Sequence, residues 1–337
     1  MSGNAATGGS AGRPLPATDA AVTPFFGRPV VSVDDVGEAT SVIVGAGHSA
    51  GSAHEGAENG PYFLRSLSKA HTWSADQPCV LDVRSGSEVL DGLVDLGDLD
   101  LRGLDAAGVV EAVRATVLAL PPGVAPCVVG GDHSLTLGVV QAILTRSDEP
   151  FWVVQLDQHL DLQVWGADPT REREPIFNTN VMSHVSDLMG PGRLLQIGVA
   201  PHVTVEDAAR VAVAEYLAHV GRQVPLGSPE LEDLHALDEL SGRGRDVYVT
   251  LDVDVLERHA MSSTGYPADT GLTTGRLLGV LAAVLRGNRL VGCDLVEFAA
   301  PRDSRDPKTL ADGGRAVAML LHLLQALGRS PHDPGRS

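Results

Sequence analysis

The chain has 337 residues, enough for two average domains or one large α/β domain. Its 43 acidic and 25 basic residues give a formal charge of -18, which argues against a nucleic-acid or anionic-membrane surface and agrees with a cationic ligand. Aromatic residues make up only 4% of the chain, so aliphatic side chains must fill the core, while 38 glycines and 21 prolines suit many tight turns.

Three scattered cysteines, Cys79, Cys127 and Cys293, stand beside apolar residues, which predicts buried reduced thiols rather than a disulfide framework. The sequence has no recognisable signal peptide or lipidation motif and no apolar run of about 18 residues, so a soluble cytoplasmic protein is expected. Residues 1–24 are rich in Gly, Ala, Ser and Pro. We place a disordered extension at 1–36, a single domain at 37–327 and a flexible tail at 328–337.

Ser41-Val42-Ile43-Val44 is the first convincing strand. It enters a loop of small residues, 45–51, that carries His48, with His54 just beyond. Small residues permit close backbone approach, and the absence of a following Gly-Lys-Ser/Thr excludes a phosphate loop. Gly60-Pro61 opens a helix with proline in its favoured early position. Residues 79–83 read as a short strand. Residues 105–120 carry Val109, Val110, Val113, Val117 and Leu118 at helical spacing and stop at Pro121-Pro122-Gly123. The strand 126–129 ends in Gly130-Gly131 and presents His133 where the helix 135–144 begins.

Next, the apolar run 151–155 ends in Leu156-Asp157-Gln158-His159-Leu160-Asp161. A polar loop, 163–175, follows with Arg171 and Arg173. After the strand 194–198, residues 205–220 read as an amphipathic helix with Val211, Val213, Tyr216 and Leu217 on its apolar side. The strand 247–251 runs into Asp252-Val253-Asp254, and the strand 289–296 reaches Glu297. A helix over 311–327 closes the pattern.

Strands alternate with helices throughout, which predicts an α/β fold: a three-layer sandwich with a central parallel sheet and helices on both faces. In such sheets ligands bind outside the carboxyl ends of the strands, where His133, Asp157, His159, Asp161, Asp252, Asp254 and Glu297 all fall. In extended chain, residues i, i+2 and i+4 point the same way, so Asp157, His159 and Asp161 can converge. Carboxylates and imidazoles packed that closely need a cation among them. Two imidazoles and four carboxylates without thiolate suit Mn²⁺ or a similar ion. Four carboxylates also balance two divalent ions, and such a pair roughly 3.5–4 Å apart generates a nucleophilic hydroxide at neutral pH.

Gly130-Gly131-Asp132-His133-Ser134, Asp157-Gln158-His159-Leu160-Asp161 and Asp252-Val253-Asp254 resemble the three signature motifs of the arginase/agmatinase (ureohydrolase) superfamily. Gly56-Ala57-Glu58-Asn59-Gly60-Pro61 and Val296-Glu297 match further landmarks in the same order, so the resemblance spans roughly 40–327. It implies an arginase-like fold and two Mn²⁺ per subunit, with Ni²⁺, Co²⁺ or Zn²⁺ as alternatives. One ion would be held by His133, Asp157, Asp161 and Asp252, the other by Asp157, His159, Asp252 and Asp254. Asp157 and Asp252 would bridge, and Asp161 would orient the hydroxide between the ions. Glu297 would accept hydrogen bonds from a substrate guanidinium, whose hydrolysis through a tetrahedral intermediate yields an amine and urea. The resemblance also implies a homo-oligomer, trimeric or hexameric.

Several positions depart from that pattern. Gln158 replaces an alanine, Thr250-Leu251 replace Ser-Phe, and Glu257-Arg258 stand where Asp-Pro is usual. Asn178, in Phe177-Asn178-Thr179-Asn180, occupies the place of a histidine with a proton-transfer or substrate role. Asparagine orients but does not titrate, so His48 or His54 is a candidate proton source and His48 a candidate substrate contact. Strand 194–198 runs into Val199-Ala200-Pro201-His202 without the arginine common in relatives. The expected substrate is therefore a guanidino compound other than free arginine, a larger natural product or a modified amino acid, with Arg171 and Arg173 as candidate carboxylate binders. Rival readings are formimino or amide hydrolysis on the same fold and a catalytically silent guanidino-binding relative. A single-zinc deacetylase-like site would leave His133, Asp161 and Asp254 without a purpose.

Overall fold

A computed structural model describes residues 18–19, 22–69, 79–147, 149–162, 175–219, 221–224 and 242–327. Its strands are β1 (Thr18–Asp19), β2 (Ser41–Ala46), β3 (Leu93–Leu99), β4 (Ala125–Gly130), β5 (Trp152–Leu156), β6 (Leu194–Ile197), β7 (Gly221–Val224), β8 (Asp246–Asp252) and β9 (Arg289–Val296). They form one sheet in the order β1-β3-β2-β4-β9-β8-β5-β6-β7. All neighbours are parallel except the two-residue edge strand β1, which runs antiparallel to β3 and makes the sheet mixed rather than purely parallel.

The helices are α1 (Gly60–Ser68), α2 (Ala106–Leu118), α3 (Thr136–Arg146), α4 (Val181–Met189), α5 (Arg210–His219), α6 (Thr274–Leu285) and α7 (Pro307–Ala326). Strand side chains alternate between two apolar cores. Ile43, Val129, Val154, Leu251 and Leu295 pack with residues of α1, α6 and α7, such as Leu64, Val280 and Leu320. Val42, Val44, Val128, Val153 and Tyr248 pack with residues of α2, α3 and α4, such as Val113, Val140 and Val185. Both faces are covered, which is why the inner strands read as unbroken apolar runs. No helix among the described residues is long and apolar enough to cross a membrane.

Several local expectations need correction. Residues 79–83 do not form a strand: Leu81 makes an isolated bridge to Glu88, and Val83 is 97% exposed. Cys79 is exposed there, whereas Cys127 and Cys293 are buried register partners on β4 and β9. In α5, Val213 and Tyr216 are buried but Val211 and Leu217 face outward. At 3.6 residues per turn, 211 and 213 lie on opposite sides of a helix and cannot share a stripe. Within the leading segment 1–36, Phe25 and Phe26 are fully buried.

That segment is fastened by a buried ion pair. Arg65 of α1 reaches both carboxylate oxygens of Asp95 on β3, at 2.5 and 3.1 Å, and Asp98 at 2.8 Å. Its guanidinium lies 4.1 Å from the centre of the Phe25 ring, and Asp95 accepts the Phe25 N–H at 2.8 Å. A second clamp lies on α7, where buried Asp312 accepts the N–H and hydroxyl groups of Ser262 and Ser263 at 2.8–3.1 Å. Bridges Leu256↔Leu272 and Glu257↔Ala268 secure the same loop from its ends.

Removing one partner of a buried ion pair leaves the other charge uncompensated. Arg65→Met is expected to lower unfolding free energy by about 3–5 kcal/mol, read as a shift of the denaturant midpoint. A change within error would show that the pair is dispensable.

Candidate active site

The chain enters the site from β4 through Gly130-Gly131. A Cβ at Gly131 would stand 1.9 Å from the His48 carbonyl oxygen, so only glycine lets the two backbones meet here. Asp132 then caps the next turn by accepting the Ser134 N–H at 3.0 Å, and it also accepts the Gly51 N–H at 2.7 Å. These contacts hold buried His133 at the start of the turn leading to α3.

The His133 Nε2 atom lies 2.8 Å from Thr250 Oγ1. With that nitrogen donating, Nδ1 turns a lone pair on Asp161 Oδ2 at 3.0 Å, Asp157 Oδ2 at 3.3 Å and Asp252 Oδ2 at 3.4 Å. Nδ1 is buried and makes no hydrogen bond of acceptable geometry. His159 Nδ1 lies 3.1 Å from Asp254 Oδ2 and 3.4 Å from Asp157 Oδ1. The side chains thus form two ligand-like groups, His133/Asp157/Asp161 and Asp157/His159/Asp254, sharing Asp157. Asp252 adjoins the first through His133. The orphaned nitrogen, the unpartnered buried Asp254 Oδ1 and the all-nitrogen-and-oxygen donor set fit divalent cations.

Backbone and neighbouring side chains aim these groups. Asp157 accepts the His159 N–H at 2.6 Å and the Gln155 amide at 2.6 Å. Gln196 donates to Gln155 at 2.6 Å and to the Leu160 carbonyl at 2.8 Å. Asp252 accepts the Asp254 N–H at 2.8 Å. Behind Thr250, Thr136 donates at 2.7 Å to buried Asp294, which also accepts the Tyr248 hydroxyl. Motif matching does not single out Gln155, Gln196 or Asp294. Their signal is a polar residue inside an apolar strand, and all three are fully buried. Two of the three non-glycine residues with positive φ among the described residues, Asp161 (49°) and Glu297 (65°), lie at the site. Strained conformers of this kind cost about 1–3 kcal/mol each and persist where surrounding contacts hold them.

The electrostatics all indicate a cluster short of positive charge. Burial, then repulsion from Asp254 and Asp157, drives Asp252 well above the ordinary carboxylate range. Burial and Asp157 push Asp254 up to about 6 against the pull of His159. Burial, then Asp157, also raises Asp161. Burial alone would lower His133, but Asp157, Asp161 and Asp252 carry it well above its usual value. Burial likewise opposes protonation of His159, yet Asp157 and Asp254 raise it. Only Asp157 is lowered, because both imidazoles outweigh its burial. Without metal, the cluster gathers protons in place of cations.

A cavity of about 540 Å³ opens onto these groups. Its lining includes His159, Asp161, Asp252, Asp254, Asn178 and Glu297. Glu297 Oε1 accepts the His133 N–H at 2.8 Å and the Asn178 amide at 3.1 Å. Among the described residues no donor reaches Oε2. Burial, then repulsion from Asp132, pushes the Glu297 carboxyl up to about 8. His48, expected at the substrate, does not line this cavity; it is buried, with Nδ1 3.2 Å from Asp132. The Gly131 backbone packs against that of His48. His54 is exposed, its ring 4.4 Å from that of Tyr266. Arg171 and Arg173 lie outside the described residues.

A mostly parallel α/β sheet thus brings two candidate metal-ligand groups together at its strand ends. The Arginase family model matches residues 39–322, and the chain belongs to that family. It is 29% identical over 284 residues to a guanidinopropionase from Pseudomonas aeruginosa, covering 82% of this chain and 83% of that protein. It is 28% identical over 271 residues to proclavaminate amidinohydrolase from Streptomyces clavuligerus, covering 77% and 80%. The solved structure of the latter superposes with a TM-score of 0.74 at 25% identity, covering 92% of this chain and 98% of that one. An agmatinase from Bacillus anthracis is 28% identical over 231 residues, covering 67% and 74%.

The raised pKa values carry a pH prediction. The folded, metal-stripped protein holds protons more tightly than the unfolded chain does. That contribution is complete below the ordinary carboxylate range and is lost as pH rises through about 6 for Asp254 and about 8 for Glu297. Metal binding improves over the same interval because its ligands deprotonate. The Tm difference between manganese-loaded and chelator-treated protein is therefore expected to widen from about pH 5 to pH 8. A constant difference would contradict this.

Proposed function

We propose that the protein hydrolyses the guanidino group of a small molecule other than free arginine, giving an amine and urea, with two Mn²⁺ held by His133, Asp157, His159, Asp161, Asp252 and Asp254. The observation that carries this reading is the Glu297 carboxylate in the same cavity as the paired ligand groups, with one oxygen already bonded and the other available. When bound, the cations supply Lewis acidity and lower the pKa of water enough to give a nucleophile near neutral pH.

Glu297 binds and orients. A planar guanidinium brings paired N–H donors and a positive charge, which restore the ionised carboxylate that burial disfavours. Asn178 steadies that carboxylate through Oε1 and has no titration of its own in the working range. Asp161 borders the cavity with a carboxyl of raised proton affinity, suited to accept a hydrogen bond from the attacking water and to hold its proton. Water adds to the guanidinium carbon, the bond to the substituted nitrogen breaks, and the departing amine takes the proton. The relatives named as a guanidinopropionase, an agmatinase and an amidinohydrolase support this reaction class.

Urea release by the manganese-loaded protein across guanidines, including arginine and agmatine, tests the reaction. Arginine as the best substrate by kcat/KM would refute the substrate statement, and no urea from any member would refute the reaction. His133→Ala and Asp254→Ala are each expected to bind one ion fewer per chain by elemental analysis and to lose most turnover. Glu297→Gln should retain both ions while transition-state stabilisation falls by about 1.5–3 kcal/mol, the worth of a charge-assisted hydrogen bond. Unchanged kcat/KM would mean that Glu297 does not bind the guanidinium.

A further inference from the structure

Resting on the amidinohydrolase reading, we infer that the substrate carries its guanidino group on an apolar tail that does not end in a carboxylate. The cavity, at about 540 Å³, lies in the range of about 300–1,000 Å³ typical of sites that enclose whole organic molecules. A guanidinium head alone would leave most of it unfilled. Away from the acidic cluster Leu162, Val199, Val203, Val205 and Val213 form an aliphatic wall, interrupted by Thr179, His202 and Thr204, and the Tyr266 ring completes it. That ring stands edge-on to His159, with centroids 5.9 Å apart, so it reaches from the cluster's border into the apolar part.

The polar features point the same way. No arginine or lysine lines the cavity among the described residues, whereas Glu206 does. A carboxylate-ended tail would meet Glu206, apolar walls and a molecule of formal charge -18, and would exchange its hydration for the side-chain donors of Gln158, Thr179, His202 and Thr204 in place of an arginine or lysine. An aliphatic or aromatic tail loses only its contact with water. Each buried methylene contributes about 0.8 kcal/mol, which is about a fourfold change in affinity or kcat/KM.

The test compares butyl-, hexyl- and phenethylguanidine with 4-guanidinobutyrate and arginine, reading urea from the manganese-loaded protein. Calorimetry with the matching product amines (butylamine, hexylamine, phenethylamine, 4-aminobutyrate and ornithine) gives a readout independent of turnover. The expected result is about a fourfold rise per methylene in both kcat/KM and amine affinity, with the carboxylate-bearing members below butyl. In Val205→Arg, which places a cation on the half-buried loop of the apolar wall, the order of butyl and 4-guanidinobutyrate should reverse. Urea with a flat series, or with carboxylates preferred, would overturn the inference and leave the reaction standing. No urea with the amine order as expected would overturn the reaction and leave the pocket inference standing.

Discussion

Four carboxylates and two imidazoles gathered at the ends of neighbouring strands cannot stay charged and buried without cations, and much of the surrounding architecture serves that constraint. A parallel sheet sends the carboxyl ends of β4, β5, β8 and β9 to one edge, so residues distant in sequence arrive together. Backbone N–H groups from the turns that follow bond the inner oxygens of Asp157 and Asp252. The Oδ2 atoms of both then face His133 Nδ1, at 3.3 and 3.4 Å. Gln155 and Thr250 fix the two directions that backbone contacts leave free. This is the outer support that metal ligands require if their lone pairs are to converge.

The same constraint accounts for the strained carboxylate residues. Both Asp161 and Glu297 follow strands at positions where the chain must turn sharply and still aim an acid into the cavity. Glycine would relieve the backbone there but would remove the acid. The Asp161 carbonyl accepts the Met182 N–H at 3.0 Å, and the Glu297 N–H bonds the Gly131 carbonyl at 2.8 Å. Those contacts offset the conformational cost.

The cluster was legible in the sequence because each of its elements ends an apolar run with an abrupt acid or histidine. What was illegible depended on tertiary partners. Leu93–Leu99 is a strand although it contains Asp95, Gly97 and Asp98, because Arg65 neutralises acids that would otherwise exclude it. Val181–Met189 and Thr274–Leu285 lie within stretches that the local pattern did not resolve into helices. In α5, apolar residues surround the helix, so spacing alone could not select the buried side. The loop signal does not tell that His48 is buried beside Asp132 and outside the cavity lining, since Asp132 comes from a different strand end.

The Asp312 clamp gives the cavity two kinds of wall. The loop bearing Tyr266 is tied to α7 and bridged at its base, so it behaves as a fixed jaw. The opposing aliphatic residues Val199, Val203 and Val205 sit between β6 and α5 without an equivalent clamp among the described residues. The Ala200 N–H, which bonds the Gln158 carbonyl at 2.9 Å, joins this stretch to the strand-end cluster. The acidic cluster sits at the strand ends, whereas three of the aliphatic residues that face it across the cavity are carried by one short stretch of chain between β6 and α5.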